Sequence, residues 1–172
     1  MKLDINKLAH ECHETAVEKG WWVDGQERDF NELVCLLHSE VSEAFEEYRS
    51  GHPLNEIYYS EDKQGNQKPE GIIIEFADLV IRLADWLGCY KNEIAYRSGK
   101  VNFEGIDFPV FCKETHYLVA MLGWDNIIYN LIDCIYYVVD YCEQNQLDID
   151  KAIGIKVAYN KTRPHRHGDK KA

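Results

Sequence analysis

The chain has 172 residues, of which 45% are hydrophobic and 28% charged, a composition typical of one globular domain with its own core. Its formal net charge of -11 argues against broad binding to nucleic acid or to an anionic membrane surface. The sequence has no apolar leader and no run of about 18 apolar residues. The six cysteines form no CxxC pair. Together these features predict reduced thiols and a cytoplasmic protein.

The hydrophobic periodicity predicts an all-α helical bundle that forms a single domain over residues 1–172. Helices are predicted over residues 4–19, 29–50, 71–87, 109–122, 125–144 and 148–160. The fifth segment is rich in β-branched and aromatic residues, which a strand also favours, but its length favours a helix. Asp4 and Asp148 are predicted N-caps, Gly20 is predicted to end the first helix, and Gly88 is the predicted C-cap of the third.

Two stretches between and after these helices are predicted to lack regular structure. Residues 51–70 hold two prolines and two glycines and predict an exposed loop insertion. Residues 96–109 are interpreted as irregular. Residues 161–172 form a basic tail that is predicted to be extended from Pro164 onward.

The second predicted helix contains LLHSEVSEAFEEYR, residues 36–49, in which two carboxylates lie among the apolar positions. On a helical wheel Glu40 falls between Leu33 and Leu36, which are about 20° and about 40° away on its two sides. Glu43 and Glu47 fall at the edge of the same face. The pattern therefore predicts carboxylates on the face that a helix normally buries.

The third predicted helix, GIIIEFADLVIRLADWL, is apolar all round except for one charged stripe. The stripe holds Glu75, Asp78, Arg82 and Asp85, which lie within about 80° of one another on the wheel. A helix with this pattern is expected to be buried, so the stripe must face a polar interior or a cleft.

Two helices that each present an acidic pair at i, i+3 can bring four carboxylates together. Burying unpaired carboxylates costs several kcal/mol each, and like charges repel unless a cation joins them. All-oxygen ligation suits Mg²⁺, Mn²⁺ or Ca²⁺, which typically bridge to phosphates. Two alternatives stay open: such acidic pairs also occur on solvated helices, and Arg82 can neutralise its acidic neighbours in a structural network.

The acidic pairs also carry a resemblance to a known family. Glu40-x-x-Glu43 followed by Glu75-x-x-Asp78 resembles the ExxE…ExxD signature of the all-α, MazG-like nucleoside triphosphate pyrophosphohydrolases. The resemblance extends, in the family's order, over roughly a third of the chain. Its blocks are HETAVEKGWW (13–22), LLHSEVSEAFEEYR (36–49), PEGIIIEFADLVIRLADW (69–86) and AIGIKVAYNKTRPHRHG (152–168).

The resemblance implies a helical bundle, usually a homodimer or higher homo-oligomer, that cleaves a nucleoside triphosphate with Mg²⁺ (or Mn²⁺ in its place) to the monophosphate and pyrophosphate. It implies metal binding by Glu40, Glu43, Glu75 and Asp78. It also implies that the basic block near the C-terminus holds phosphates or sugar, through Lys156, Asn160, Lys161 and Arg163. An alternative interpretation of this block is a solvated basic helix end that complements the helix dipole.

The sequence departs from the family pattern in two ways. The gap between the two acidic pairs is long because of residues 51–70. Many family members carry a glutamate just before the first ExxE, where this chain has Ser39. The general base is therefore open between Glu43, Glu47 and a metal-bound water.

Other residues and other classes of function stay open beside this interpretation. Trp21 and Trp22 are candidates for stacking on a nucleobase, or for core or interface anchors. His10 and His13 are interpreted as surface or structural. A non-catalytic nucleotide- or metal-binding regulator is the alternative function. A di-iron carboxylate bundle is disfavoured because neither acidic pair has its Glu-x-x-His histidine.

Overall fold

In a computed structural model the protein is a helical bundle with one small β-hairpin, and the structure describes residues 3–23, 27–91, 99–169 and 171. The helices are α1 (Ile5–Glu18), α2 (Phe30–Arg49), α3 (Ile72–Gly88), α4 (Phe108–Ala120), α5 (Ile127–Gln144), α6 (Ile149–Thr162) and the single turn α7 (Arg166–Asp169). The strands are β1 (Tyr58–Glu61) and β2 (Gln67–Glu70). No helix in these described ranges has the length and apolarity needed to cross a membrane.

Helix α3 lies at the centre of the bundle and packs against α1, α2, α5 and α6, while α4 covers α2 and α5. Its sequence explains this position, because every uncharged side chain from Ile72 to Leu87 except the partly buried Ile81 is buried. On the α5 side the core is aromatic: Phe76 and Phe111 are in edge contact, and the Phe111 and Tyr141 rings stack with centroids 3.7 Å apart. The charged stripe of α3 is therefore held by a helix that cannot move independently of the core.

Aspartate side chains begin four of the helices, as the sequence predicts for two of them. The carboxylate of Asp4 accepts from the Lys7 amide at the start of α1, and that of Asp148 accepts from the Lys151 amide at the start of α6. Asp29 and Asp107 cap α2 and α4 in the same way. Gly20, with φ of 81°, follows α1 as predicted.

The prediction that Gly88 caps α3 is wrong, because Gly88 is the last residue of the helix and Cys89 is its C-cap. The small residue has a different reason. A Cβ at Gly88 would collide with the carbonyl oxygen of Ala9 on α1, so the glycine permits α1 and α3 to approach closely.

Residues 51–70, predicted to be an irregular loop, contain the hairpin. Strands β1 and β2 pair antiparallel, with Tyr58 opposite Glu70 and Glu61 opposite Gln67. The turn is fixed by Asp62, whose carboxylate accepts from the amides of Gln64 and Asn66. The two strands are short and stand beside α6, so they add an edge to the bundle rather than a second layer.

The other two segments predicted to lack regular structure, residues 96–109 and the C-terminal tail, differ in part from the prediction. Residues 99–107 are non-helical as expected, but Phe108 and Pro109 form the first turn of α4 rather than irregular chain. Residues 96–98 lie outside the described residues. The tail forms the α7 turn instead of staying extended, since the amide and guanidinium of Arg166 donate to the carbonyls of Lys19 and Gly20. All six cysteines are free thiols.

Candidate metal centre and adjoining pocket

Three carboxylates converge where α2 packs on α3. Glu40 and Glu43 come from α2 and Glu75 from α3, and one oxygen of each lies within 4.8 Å of the others. Glu40 and Glu75 are each only 3% exposed, whereas Glu43 is exposed and reaches the group from the solvent side. Helices α2 and α3 pack against each other through their apolar faces. Because the acids lie on those faces, the packing brings the three carboxylates together.

The electrostatics of the group are those of buried acids with too little positive charge. Burial raises the pKa of Glu75 to about 8; Lys156 opposes the rise, and Asp78, Glu40 and Glu43 add to it.

Glu40 is also a buried acid, and the cation beside it is Arg82. Burial raises the pKa of Glu40 to about 7, although Arg82 attracts its charged form. The Arg82 Nε donates to Glu40 Oε1 at 2.6 Å, and the Arg82 side chain as a whole is 38% exposed.

Asp78, the fourth predicted ligand, lies outside the close group. Its Oδ2 pairs with Lys156 Nζ at 2.7 Å, and the Lys156 side chain is 2% exposed. Desolvation opposes charge on this lysine, but Asp78 and Glu75 raise its pKa, so Lys156 is a buried ammonium. Lys156, which the resemblance assigns to phosphate binding, is therefore paired with Asp78 and also attracts Glu75.

A pocket continues from the acidic group along α3, between α1 and α6. It encloses about 650 Å³, part of it open to solvent, and its walls carry both cations and apolar surface. The lining residues that bear on function are Lys19, Trp21, Asp78, Arg82, Asp85, Asn160 and Arg163. Arg82 lines the pocket and donates to Glu40, so the pocket adjoins the acidic group.

The other predicted substrate-binding residues are placed unequally. Trp21, Asn160 and Arg163 line the pocket. Lys161 points away and pairs with Glu11 on α1 at 2.6 Å, with half of its side chain exposed. Trp22 packs against the core and donates its indole N–H to Asp85.

Asp85 is the centre of a contact network that the sequence did not reveal. Its Oδ1 accepts from Trp22 Nε1 at 2.7 Å and lies 3.0 Å from His13 Nδ1, while Arg28 Nη1 is 3.9 Å from Oδ2. The pKa of Asp85 is raised by burial, against the hydrogen bonds from His13 and Trp22. The interpretation of His13 as structural agrees with this contact. Asp85 itself was visible as part of the charged stripe, but its partners were not.

Glu47, the remaining catalytic candidate, is held by the hairpin. Tyr58 Oη lies 3.0 Å from both Glu47 oxygens, and the His52 ring stacks on Tyr58 with centroids 4.7 Å apart. His52 Nε2 is also 3.8 Å from Glu47. Ser39, which stands where the family has a glutamate, donates its hydroxyl to the Leu36 carbonyl.

The donor set of the close group fits a hard divalent cation. Three carboxylates supply only oxygen, two of them are buried, and the exposed one leaves a side of the group open to water and substrate. Zinc would be expected to recruit histidine or cysteine, and neither joins the group among the described residues.

The fold and this site define a mostly helical protein with a buried carboxylate centre beside a pocket that has cations on its walls. Comparisons with protein-family models, with curated proteins and with solved structures gave no match to the chain.

Proposed function

We propose that the protein is a divalent-metal-dependent nucleoside triphosphate pyrophosphohydrolase, which cleaves its substrate to a nucleoside monophosphate and pyrophosphate. The observation that carries the proposal is the meeting of Glu40, Glu43 and Glu75 at the edge of a pocket with cationic walls. Buried carboxylates with too few cations attract a metal, and a metal beside cationic side chains suits a polyphosphate. The resemblance to MazG-like enzymes supports the same reaction and favours a homo-oligomer.

The protein's own residues divide the work along α3. Glu40, Glu43 and Glu75 would hold Mg²⁺, with Arg82 fixing the orientation of Glu40. When bound, Mg²⁺ neutralises phosphate charge and lowers the pKa of a water molecule. Arg82 and Arg163 face the pocket and are placed to stabilise charge on the phosphates.

We assign the general-base role to Glu43 rather than to Glu47. Glu43 is exposed, so its carboxylate can reach both the other two acids and an incoming water. Both oxygens of Glu47 accept from Tyr58, which holds that side chain toward the hairpin.

The proposal is tested by pyrophosphate release from a panel of ribo- and deoxynucleoside triphosphates with Mg²⁺, with Mn²⁺ and with chelator. Glu75→Gln is expected to lower kcat at least about a hundredfold, since even residues outside the ligand shell cost about 10–100-fold. Glu46→Gln is the matched control, because Glu46 is an exposed α2 residue paired only with Arg49 among the described residues. Equal activity of the two variants would reject the metal centre.

The regulator is the second candidate, and one observation favours it. Arg82 and Lys156 already offset part of the acidic charge without any metal. A regulator would still bind metal: at about 100 times Kd the ion adds about 2.7 kcal/mol to the unfolding free energy. Metal-dependent stabilisation without turnover of any triphosphate in the panel would replace the hydrolase by the regulator.

A further inference from the structure

The charged stripe of α3 runs from the acidic group into the pocket, so it can set the orientation of a bound ligand. Glu75 lies at the acidic group and Asp85 at the far wall of the pocket, ten residues or about 15 Å further along the helix. Asp78 and Arg82 lie between them. A nucleotide whose phosphates lie at the acidic group can extend along this stripe and place its base near Asp85 and Trp21.

Two of the pocket's cations already donate hydrogen bonds within the protein. Arg82 donates to Glu40, and Lys19 Nζ donates to the Lys161 carbonyl at 2.7 Å. Thr15 Oγ1 donates to the Glu11 carbonyl, so this hydroxyl proton is used as well. These contacts use one donor each of Arg82, Lys19 and Thr15, so part of the pocket's donor capacity is already taken.

Acceptors are available on the same walls. Asn160 Oδ1 is buried and has no hydrogen-bond partner within the part of the chain that the structure describes. Asp85 Oδ2 has Arg28 at 3.9 Å, which is beyond hydrogen-bond distance, while both described hydrogen bonds go to Oδ1. A buried acceptor that stays unpaired costs free energy, so a ligand with N–H donors is favoured over one with carbonyl oxygens.

Nucleobases differ in this respect. Cytosine, adenine and guanine carry an exocyclic amino donor. Thymine presents a carbonyl oxygen at the position of the cytosine amino group, and a carboxylate pairs with that amino group. Uracil has the same carbonyl as thymine. We infer that the pocket selects nucleotides whose base carries an exocyclic amino group, with Asp85 and Asn160 as the accepting residues. This inference rests on the proposed function for the placement of the phosphates.

The test compares dCTP with dUTP, which differ by this amino group, its carbonyl replacement and the accompanying N3 proton. We expect kcat/KM for dCTP to exceed that for dUTP at least about tenfold. Asp85→Asn replaces one acceptor by a donor, so the ratio is expected to fall toward one or to invert. Asn160→Ala, which leaves the Asp85 network intact, is expected to lower the ratio as well.

His13→Gln is the matched control, because it changes a partner of Asp85 Oδ1 and leaves Asp85 Oδ2 and Asn160 Oδ1 in place; it is expected to keep the ratio. Hydrolysis of dCTP and dUTP at equal kcat/KM would overturn the inference and leave the proposed function standing. If no triphosphate is hydrolysed, binding of dCMP and dUMP, followed by tryptophan fluorescence, decides: tighter binding of dCMP supports the inference, and equal or absent binding overturns it.

Discussion

The two ends of α3 surround a buried carboxylate with different numbers of donors. Asp85 is surrounded by donors from two other segments, His13 on α1 and Trp22 and Arg28 between α1 and α2. Glu75 has Lys156 as its main attraction and shares that lysine with Asp78. Both carboxylates lie on one face of one helix, so burial alone does not define a site. What separates them is whether the protein supplies enough donors of its own.

The largest loss of unfolding free energy is expected from Lys156→Met. This substitution removes the positive charge that Glu75 and Asp78 share at their end of α3. Breaking a buried ion pair typically costs about 3–5 kcal/mol, because the remaining charge stays buried. Urea unfolding in chelator should show this loss of unfolding free energy. Lys161→Met is the matched control: its pair with Glu11 is half exposed, and such pairs contribute about 0–1 kcal/mol. Similar losses in both variants would mean that Lys156 is not the buried counter-ion.

The comparison is tested most directly by neutralising each end in turn, again in chelator. Asp85→Asn is expected to cost about 1.5–3 kcal/mol, since hydrogen bonds to a charged acceptor are lost. Glu75→Gln is expected to leave the unfolding free energy unchanged or to raise it, because it removes a repelled charge. Urea unfolding of the two variants measures both values. The reverse order of stabilities would show that the donors around Asp85 contribute little.

A smaller effect is expected where the hairpin meets α2. Tyr58→Phe removes the hydroxyl that donates to Glu47 but keeps the ring that stacks on His52. The contact is partly exposed, so the expected loss is about 1 kcal/mol of unfolding free energy. Tyr59→Phe is the control, because the next tyrosine is 52% exposed and is expected to lose almost nothing. Thermal unfolding of both variants measures the difference. Equal stability of the two variants would mean that Glu47 is solvated and is not held by Tyr58.

The fold could be predicted from the sequence wherever a local signal decides it. Apolar periodicity and the capping residues Asp4 and Asp148 predicted the helices to within about two residues. The hairpin was missed because its strands have four residues each and contain Pro69, which disfavours strands. Contacts distant in sequence, from Tyr58 to α2 and from Asp62 to α6, hold it in place.

The candidate site divides in the same way. The wheel patterns predicted that Glu40 and Glu43 on one helix and Glu75 and Asp78 on the next can come together, and the packing of α2 on α3 brings Glu40, Glu43 and Glu75 within 4.8 Å. The roles of Lys156 and Asp85 were not predictable, because they depend on which buried groups happen to face each other. His13 and Asp85 are 72 residues apart, and no spacing rule connects them.

The smallest effect concerns Asp62, a carboxylate at the opposite extreme from Glu75. Partial desolvation acts to raise its pKa, but donors from Asn66, Gln64 and Tyr159 lower it to about 2. Because the folded pKa lies below the ordinary value of 3.8, the contribution of Asp62 to stability is complete above about pH 4 and is lost as the pH falls through about 2.

An NMR titration of the Asp62 carboxyl should therefore show a midpoint near 2, and Asn66→Ala should move it toward 3.8 because two of the donors belong to that residue's backbone and side-chain amides. Only the side-chain donor is deleted, so the expected move is partial. An unshifted Asp62 midpoint in the native protein would mean that the turn does not supply these donors. It would also mean that the number of hydrogen-bond donors does not determine the pKa of the carboxyl groups in this fold.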